Sequence, residues 1–179
     1  SRDAASALYM GIAHDTGVFQ YSCTSPETMR LAAALMEKQI PYTEILEETF
    51  YKKTYLQNQV MGKALLESMR LLNGKCIVSV MRQKDMDFFG VTTTDLDGIV
   101  SQMKQTKGVE VAIFLYETDY MEYKVSLRSE NIVDVSKVAS YFGGGGHVRA
   151  AGVTMKGTFH DIVNNLTLHI ERQLEGQED

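Results

Sequence analysis

Apolar residues fall at two different spacings along this chain, and the change between them divides it. Residues 123–128 alternate strictly, with Tyr123, Val125 and Leu127 apolar and Lys124, Ser126 and Arg128 polar, which predicts a strand with one buried face. The run 109–116 is apolar almost throughout and predicts a strongly buried strand. It should pair antiparallel with 123–128 through a turn around Asp119 and Tyr120. Residues 75–80 and the small and β-branched stretch 151–155 predict two further strands. Helical spacing appears at 96–103 and at 135–142, where Val135, Val138, Ala139 and Phe142 follow a capping Asp134 or Ser136. It returns at 159–174, where Ile162, Leu166, Ile170 and Leu174 form one stripe. An open mixed sheet with flanking helices, from about residue 75 onward, follows from this order, and no internal repeat is present.

Upstream the reading is helical. Residues 3–10 predict a helix that leads into Gly11-Ile12-Ala13-His14-Asp15-Thr16-Gly17-Val18-Phe19. Ser25 as N-cap and Pro26 in the first turn start a second helix through Glu37, with Leu31, Ala32, Leu35 and Met36 on one face. Residues 42–72 lack Gly and Pro apart from Gly62 and predict one or two helices joining two domains. An opening helix with no preceding strand to pack on, in a chain without an initiator Met, reads as the middle of a domain. The expected organisation is α/β, with residues 1–41 ending one domain, 42–73 forming a helical linker and 74–179 forming a second domain.

Composition narrows the function. A formal net charge of −5 over 179 residues argues against a protein that coats long nucleic acid through a broad cationic surface, and leaves room for a small anionic ligand at one site. Cys23 and Cys76 are isolated from each other and from any His cluster, so neither a zinc site nor a disulfide framework is expected. No apolar run approaches the ~20 residues a bilayer crossing needs, and the N-terminus lacks a signal-peptide pattern, so a cytoplasmic protein is expected.

Chemistry concentrates in Phe142-Gly143-Gly144-Gly145-Gly146-His147-Val148-Arg149-Ala150-Ala151-Gly152. Consecutive glycines can turn successive N–H groups toward one anion, with the His147 imidazole and Arg149 guanidinium close behind. The run lacks the Gly-Lys-Ser/Thr of a Walker loop and the last glycine of the dinucleotide fingerprint. A flexible Gly-rich turn is the plainer alternative. Arg128 closes the alternating strand where the glycine loop can also reach it, as a bidentate phosphate donor or as the partner of a surface carboxylate such as Glu130. Asp15 follows an apolar segment and precedes Thr16-Gly17, which suits a carboxylate presented at a sheet edge, although Asp before Thr-Gly is more often an ordinary turn former. The pairs Asp85/Asp87 and Asp95/Asp97 fall in polar turns, where solvation or N-capping explains them.

Together these residues resemble a known family. Gly144-Gly145-Gly146-His147 with Ala150-Ala151-Gly152, preceded by Ser126-Leu127-Arg128-Ser129 and 134–139, is similar to the C-terminal DHHA1 domain of DHH phosphoesterases. The segment 11–19 resembles the last motif of their catalytic DHH domain. The bacterial hydrolases of short oligoribonucleotides and phosphoadenosine phosphate (pAp) are nearest in character. The resemblance implies a phosphoesterase with two manganese ions in its complete N-terminal domain, activating water for attack on the phosphoester. It assigns Asp15 to the metal centre, and Arg128, Gly144, Gly145, Gly146 and His147 to substrate. The family's earlier metal motifs, Asp-x-Asp, a further Asp and Asp-His-His, are absent from the 179 residues, so this chain alone is expected to be inactive. Expected partners are short RNA or a nucleotide, with no membrane and a possible homodimer. The alternatives are a cyclic dinucleotide phosphodiesterase or exopolyphosphatase of the same family, or a non-catalytic module binding single-stranded nucleic acid.

Overall fold

The computed structural model describes residues 1–176, so the last three positions of the expected 74–179 domain lie outside the described residues. The chain separates into two compact units, Ser1–Thr54 and the chain from Tyr55 onward.

The first unit is helical. Helix α1 (Arg2–Asp15) buries Ala5, Tyr9 and Ala13, each four residues from the next and so on one face. That stripe carries the helix straight through Gly11, whose missing Cβ faces open space. Helix α2 (Pro26–Met36) starts as expected at Ser25, whose side chain accepts from the Thr28 amide. Ala32 of α2, Ile40 and partly buried Phe19, Leu35, Ile45 and Leu46 complete the small core. Helix α3 (Tyr42–Leu46) continues into a π-helical turn, Glu47–Tyr51.

The second unit is a six-stranded mixed sheet flanked by helices. Helix α4 (Tyr55–Leu66) leads into β1 (Met69–Leu71) and β2 (Cys76–Met81). Helices α5 (Gln83–Phe89) and α6 (Ile99–Lys104) then connect to β3 (Val111–Asp119), which pairs parallel with β2. A hairpin through Met121, at φ +52°, returns the chain as β4 (Glu122–Ser129) in the predicted antiparallel pairing. Helix α7 (Val135–Ser140), β5 (Gly145–His147), β6 (Ala150–Lys156) and α8 (Phe159–Leu174) complete the unit, with strand order β1-β2-β3-β4-β6-β5.

Each sheet face has its own core. Val111, Ile113, Leu115, Val125, Leu127 and Val153 pack under α7 and α8, where Ile162, Leu166 and Ile170 are buried as the stripe requires. Ile77, Met81, Ala112 and Phe114 pack under α4, α5 and α6 through Val60, Ala64, Met86, Ile99 and Met103. Covered on both sides, Val111 to Leu115 is buried at every position, which is why that stretch shows no alternation in sequence.

Several elements depart from the sequence reading. The stretch 42–73 holds α3, the π-helical turn, α4 and the short strand β1, and the division between the units falls inside it. Asp85 and Asp87 lie on α5 rather than in a turn, although capping does explain Asp85, which accepts from the Arg82 amide at 3.1 Å. Asp95 likewise accepts from the Thr92 amide at 2.9 Å. The expected helix 96–103 is split into a 3-10 turn (Thr93–Leu96) and α6, with Gly98 left-handed between them.

Candidate functional site

The face of β4, β6 and β5 opposite α7 and α8 gathers most of the predicted ligand residues. In antiparallel pairing, directly opposed residues share a face, so the register assembles rows across the three strands. Arg128 pairs with Ala150 and Ala150 with His147; Ser126 pairs with Gly152 and Gly152 with Gly145; Lys124 pairs with Thr154. Two strand spacings separate Arg128 from His147, about 10 Å between backbones. The residue between them in that row is Ala150, whose side chain is a single methyl group. The next row offers the Ser126 hydroxyl and then two positions with no side chain.

Beside this floor lies a cleft of 150 Å³, lined on one side by Arg128, Ser126, Lys124, Tyr116 and Phe114, and on the other by Thr93, Asp97, Gly98 and Ser101. Lys124 and Arg128 outweigh the single carboxylate, Asp97, so the lining carries net positive charge. His147 is exposed at the sheet edge. Arg128 Nη1 donates to the Leu127 carbonyl at 2.9 Å, and the register sets this cation and the His147 imidazole in one row over positions that allow close backbone approach.

The glycine run does not form the nest of free amides that its composition allows. The Gly143 amide donates to the Ser140 carbonyl at 3.1 Å and the Gly144 amide to the Ala139 carbonyl at 2.9 Å, closing the C-terminus of α7. Gly143 is left-handed at φ +77°, the usual helix stop. Gly145 to His147 then become the edge strand β5. A Cβ at Gly144 would stand 2.4 Å from the Gly152 carbonyl oxygen, and one at Gly146 the same distance from that of Ala150. A Cβ at Gly145 meets nothing within 4 Å and lies in the phase that shares a face with Ser126. Glycine at 144 and 146 therefore seats the strand, and glycine at 145 keeps the floor clear.

Arg149 is a structural residue. Its guanidinium donates to the Val133 carbonyl at 2.9 Å and to the Asn131 carbonyl. From the other side the buried Glu110 carboxylate accepts from the amides of Asn131, Ile132 and Val133, at 3.0, 2.6 and 3.0 Å. The loop joining β4 to α7 is thus clamped through both its amides and its carbonyls, which fixes the chain immediately after Arg128. Asp134 then caps α7 by accepting from Ser136 and Lys137. Burial pushes its carboxyl up, and the hydrogen bonds from Ser136 and the Lys137 amide outweigh that and hold it below the ordinary carboxylate value.

Asp15 belongs to the first unit. It is the exposed last residue of α1, not a sheet-edge residue, because the Ala5-Tyr9-Ala13 stripe prolongs the helix to that point. Gly17, Val18 and Phe19 follow with φ of 55°, 54° and 64°, a strained path for the two non-glycine residues. His14 beside it is engaged, with Nε2 3.0 Å from Thr49 Oγ1. Among the described residues no group of three His, Cys, Asp or Glu side chains could hold a metal ion. The residues present do not by themselves fit a manganese centre.

A mixed-sheet α/β domain with cations beside two glycine positions that lack side chains is suited to holding an anionic ligand. The chain belongs to the DHHA1 domain family, whose profile matches residues 73–175. It is 31% identical over 172 residues to the bifunctional oligoribonuclease and PAP phosphatase NrnA of Thermus thermophilus, covering 96% of this chain and 51% of that protein. An A-adding tRNA nucleotidyltransferase of Aquifex aeolicus is 26% identical over 166 residues, which are 90% of this chain and 19% of the larger protein. An exopolyphosphatase-related protein from Bacteroides fragilis shares the fold with a TM-score of 0.88 at 25% identity, over 96% of this chain and 51% of its own. The chain spans about half the length of the NrnA relative. No helix among the described residues is long and apolar enough to cross a membrane.

Proposed function

We propose that this chain is the substrate-holding part of a phosphoesterase that hydrolyses short oligoribonucleotides and pAp. The observation that carries the reading is the row Arg128-Ala150-His147 beside the bare positions Gly145 and Gly152, which offers charge and close approach to one phosphate. The name of the Thermus relative supports the substrate class. Manganese dependence, with Asp15 as one ligand, rests on the family resemblance. The described residues do not complete a metal centre, so apart from the single ligand Asp15 the part this chain plays in hydrolysis is to bind and orient the phosphate. On this reading the 179-residue chain binds nucleotide without hydrolysing it, and the complete enzyme acts in the cytoplasm, with pairing of two chains as part of the same proposal.

The test is made in the complete enzyme. His147→Ala should raise KM for pAp more than it lowers kcat, since a phosphate clamp contributes largely uniform binding; an unchanged KM contradicts the clamp. Asp15→Asn should abolish manganese-dependent phosphate release while leaving Tm unchanged, and retained turnover refutes the ligand assignment. A second reading, a non-catalytic module for single-stranded nucleic acid, draws support from the likeness to part of a tRNA nucleotidyltransferase. It predicts RNA binding through Arg128 and His147 with no hydrolysis in any longer form of the protein.

A further inference from the structure

Lys124, Ser126 and Arg128 occupy one face of β4 at every second residue, and all three line the same cleft. Successive positions on that face are about 6.8 Å apart in an antiparallel strand. A nucleotide contributes six backbone bonds, twice the three of an amino-acid residue, and so spans about 7 Å when extended. The strand repeat and the phosphate repeat of an extended oligonucleotide therefore match. A phosphate at the Arg128-His147 row places the next one level with Ser126 and a third level with Lys124.

Lys124 is equipped for that third position. It is exposed and makes no ion pair with any described residue, whereas Lys63, Lys104 and Lys156 of the same unit each hold a carboxylate. Its row neighbours are Tyr116 on β3 and Thr154 on β6, so no carboxylate opposes it across the sheet. Asp97, on the far wall of the cleft, is the acidic residue of the lining.

Building on the function proposed above, we infer that Lys124 is a distal phosphate contact through which this face favours ligands of three or more phosphates, oligonucleotides, over a nucleotide bisphosphate. The two phosphates of pAp reach the Arg128 and Ser126 rows and end there. Lys124 therefore sorts substrates by length without altering how the terminal phosphate is held.

The experiment is equilibrium binding to the 179-residue chain at several salt concentrations. The probes are pAp and 5′-phosphorylated oligoribonucleotides of two, three and four nucleotides. The wild-type chain should gain affinity between two and three nucleotides. Lys124→Gln should weaken the three- and four-nucleotide ligands about three- to fivefold, the upper part of the range for an exposed ion pair, and flatten their log–log salt slope by roughly 0.7. Binding of pAp and the dinucleotide should not change, and Lys124→Arg should restore the step. An equal loss on pAp, or no loss on any ligand, overturns the inference. If Arg128→Gln leaves every affinity unchanged while the Lys124 step persists, the Arg128 row is refuted and the Lys124 contact stands. Absence of binding by every probe overturns both.

Discussion

The three glycines 144, 145 and 146 have different tasks, and alanine substitution separates them. At Gly146 a Cβ would stand 2.4 Å from the Ala150 carbonyl oxygen and 2.6 Å from the Ala151 Cα, and the backbone is at φ +149°. Relieving that overlap costs about 1–3 kcal/mol as overpacking, and holding alanine in a glycine-only region adds about 1–3 kcal/mol. The sum is bounded by what it costs to peel β5, a three-residue edge strand, away from β6. At Gly144 the Cβ would meet the Gly152 carbonyl oxygen at 2.4 Å and the Val153 Cβ at 2.5 Å, with no positive φ, so only the overpacking applies. At Gly145 neither cost arises. Thermal melting of the three variants should place Gly146→Ala lowest and Gly144→Ala next, with Gly145→Ala within about 2 °C of wild type, at roughly 4 °C per kcal/mol for a domain of this size. In nucleotide titrations Gly145→Ala should nonetheless bind at least tenfold more weakly, because its methyl occupies the floor where the phosphate approaches. A Gly145→Ala protein that binds like wild type, or a Gly144→Ala protein that melts like wild type, refutes this division of roles.

Other consequences are independent of the ligand. Replacing Glu110 by Ala leaves the amides of Asn131, Ile132 and Val133 without their acceptor, and should cost at least about 2 kcal/mol in urea unfolding; a smaller loss would mean that the loop repacks without its clamp. Burial pushes the Cys76 thiol up to about 12, whereas Cys23 is exposed, so a thiol reagent at pH 8 should modify Cys23 quickly and Cys76 only on unfolding. Two fast thiols in the native protein would contradict the burial of Cys76. Because the Asp134 carboxyl is held below its unfolded value, its contribution is complete above that unfolded value and is lost as pH falls through the lower folded one. Asp134→Asn should remove this acid-side loss from the stability–pH curve, and identical curves would exclude Asp134 as its source.

Most of the second unit's architecture was legible because its cores impose period. The alternation at 123–128, the unbroken apolar run of β3 and the stripe of α8 each report a surface that must be covered, and Ser25 and Asp134 cap as their types predict. What escaped is what tertiary contact decides. Strand β1 has three residues, too few to show a period, and exists because Met69 to Leu71 pair with Cys76 to Val78. Helix α5 is mostly polar, with Met86 its one buried residue, and is held from outside by the Asp85 cap and the Lys63–Asp85 pair at 3.3 Å. At the candidate site, Arg128, His147 and the glycines were visible as residue types. Composition pointed to an amide nest, yet hydrogen bonding to α7 and pairing with β6 consume that freedom. Arg149 looked like a ligand residue until the carbonyls of Asn131 and Val133 claimed it. Lys124 passed as the polar phase of a strand, although sharing the phase of Arg128 was the signal that placed it on the same face.

The central claim is that the Arg128-Ala150-His147 row grips a nucleotide phosphate. The most direct measurement is calorimetric titration of the chain with pAp, wild type against Arg128→Gln, with Tm recorded for both. Loss of a charge-assisted hydrogen bond should weaken binding roughly 10- to 100-fold while Tm stays within about 2 °C. Equal affinity for the two proteins, with both folded, would contradict the claim.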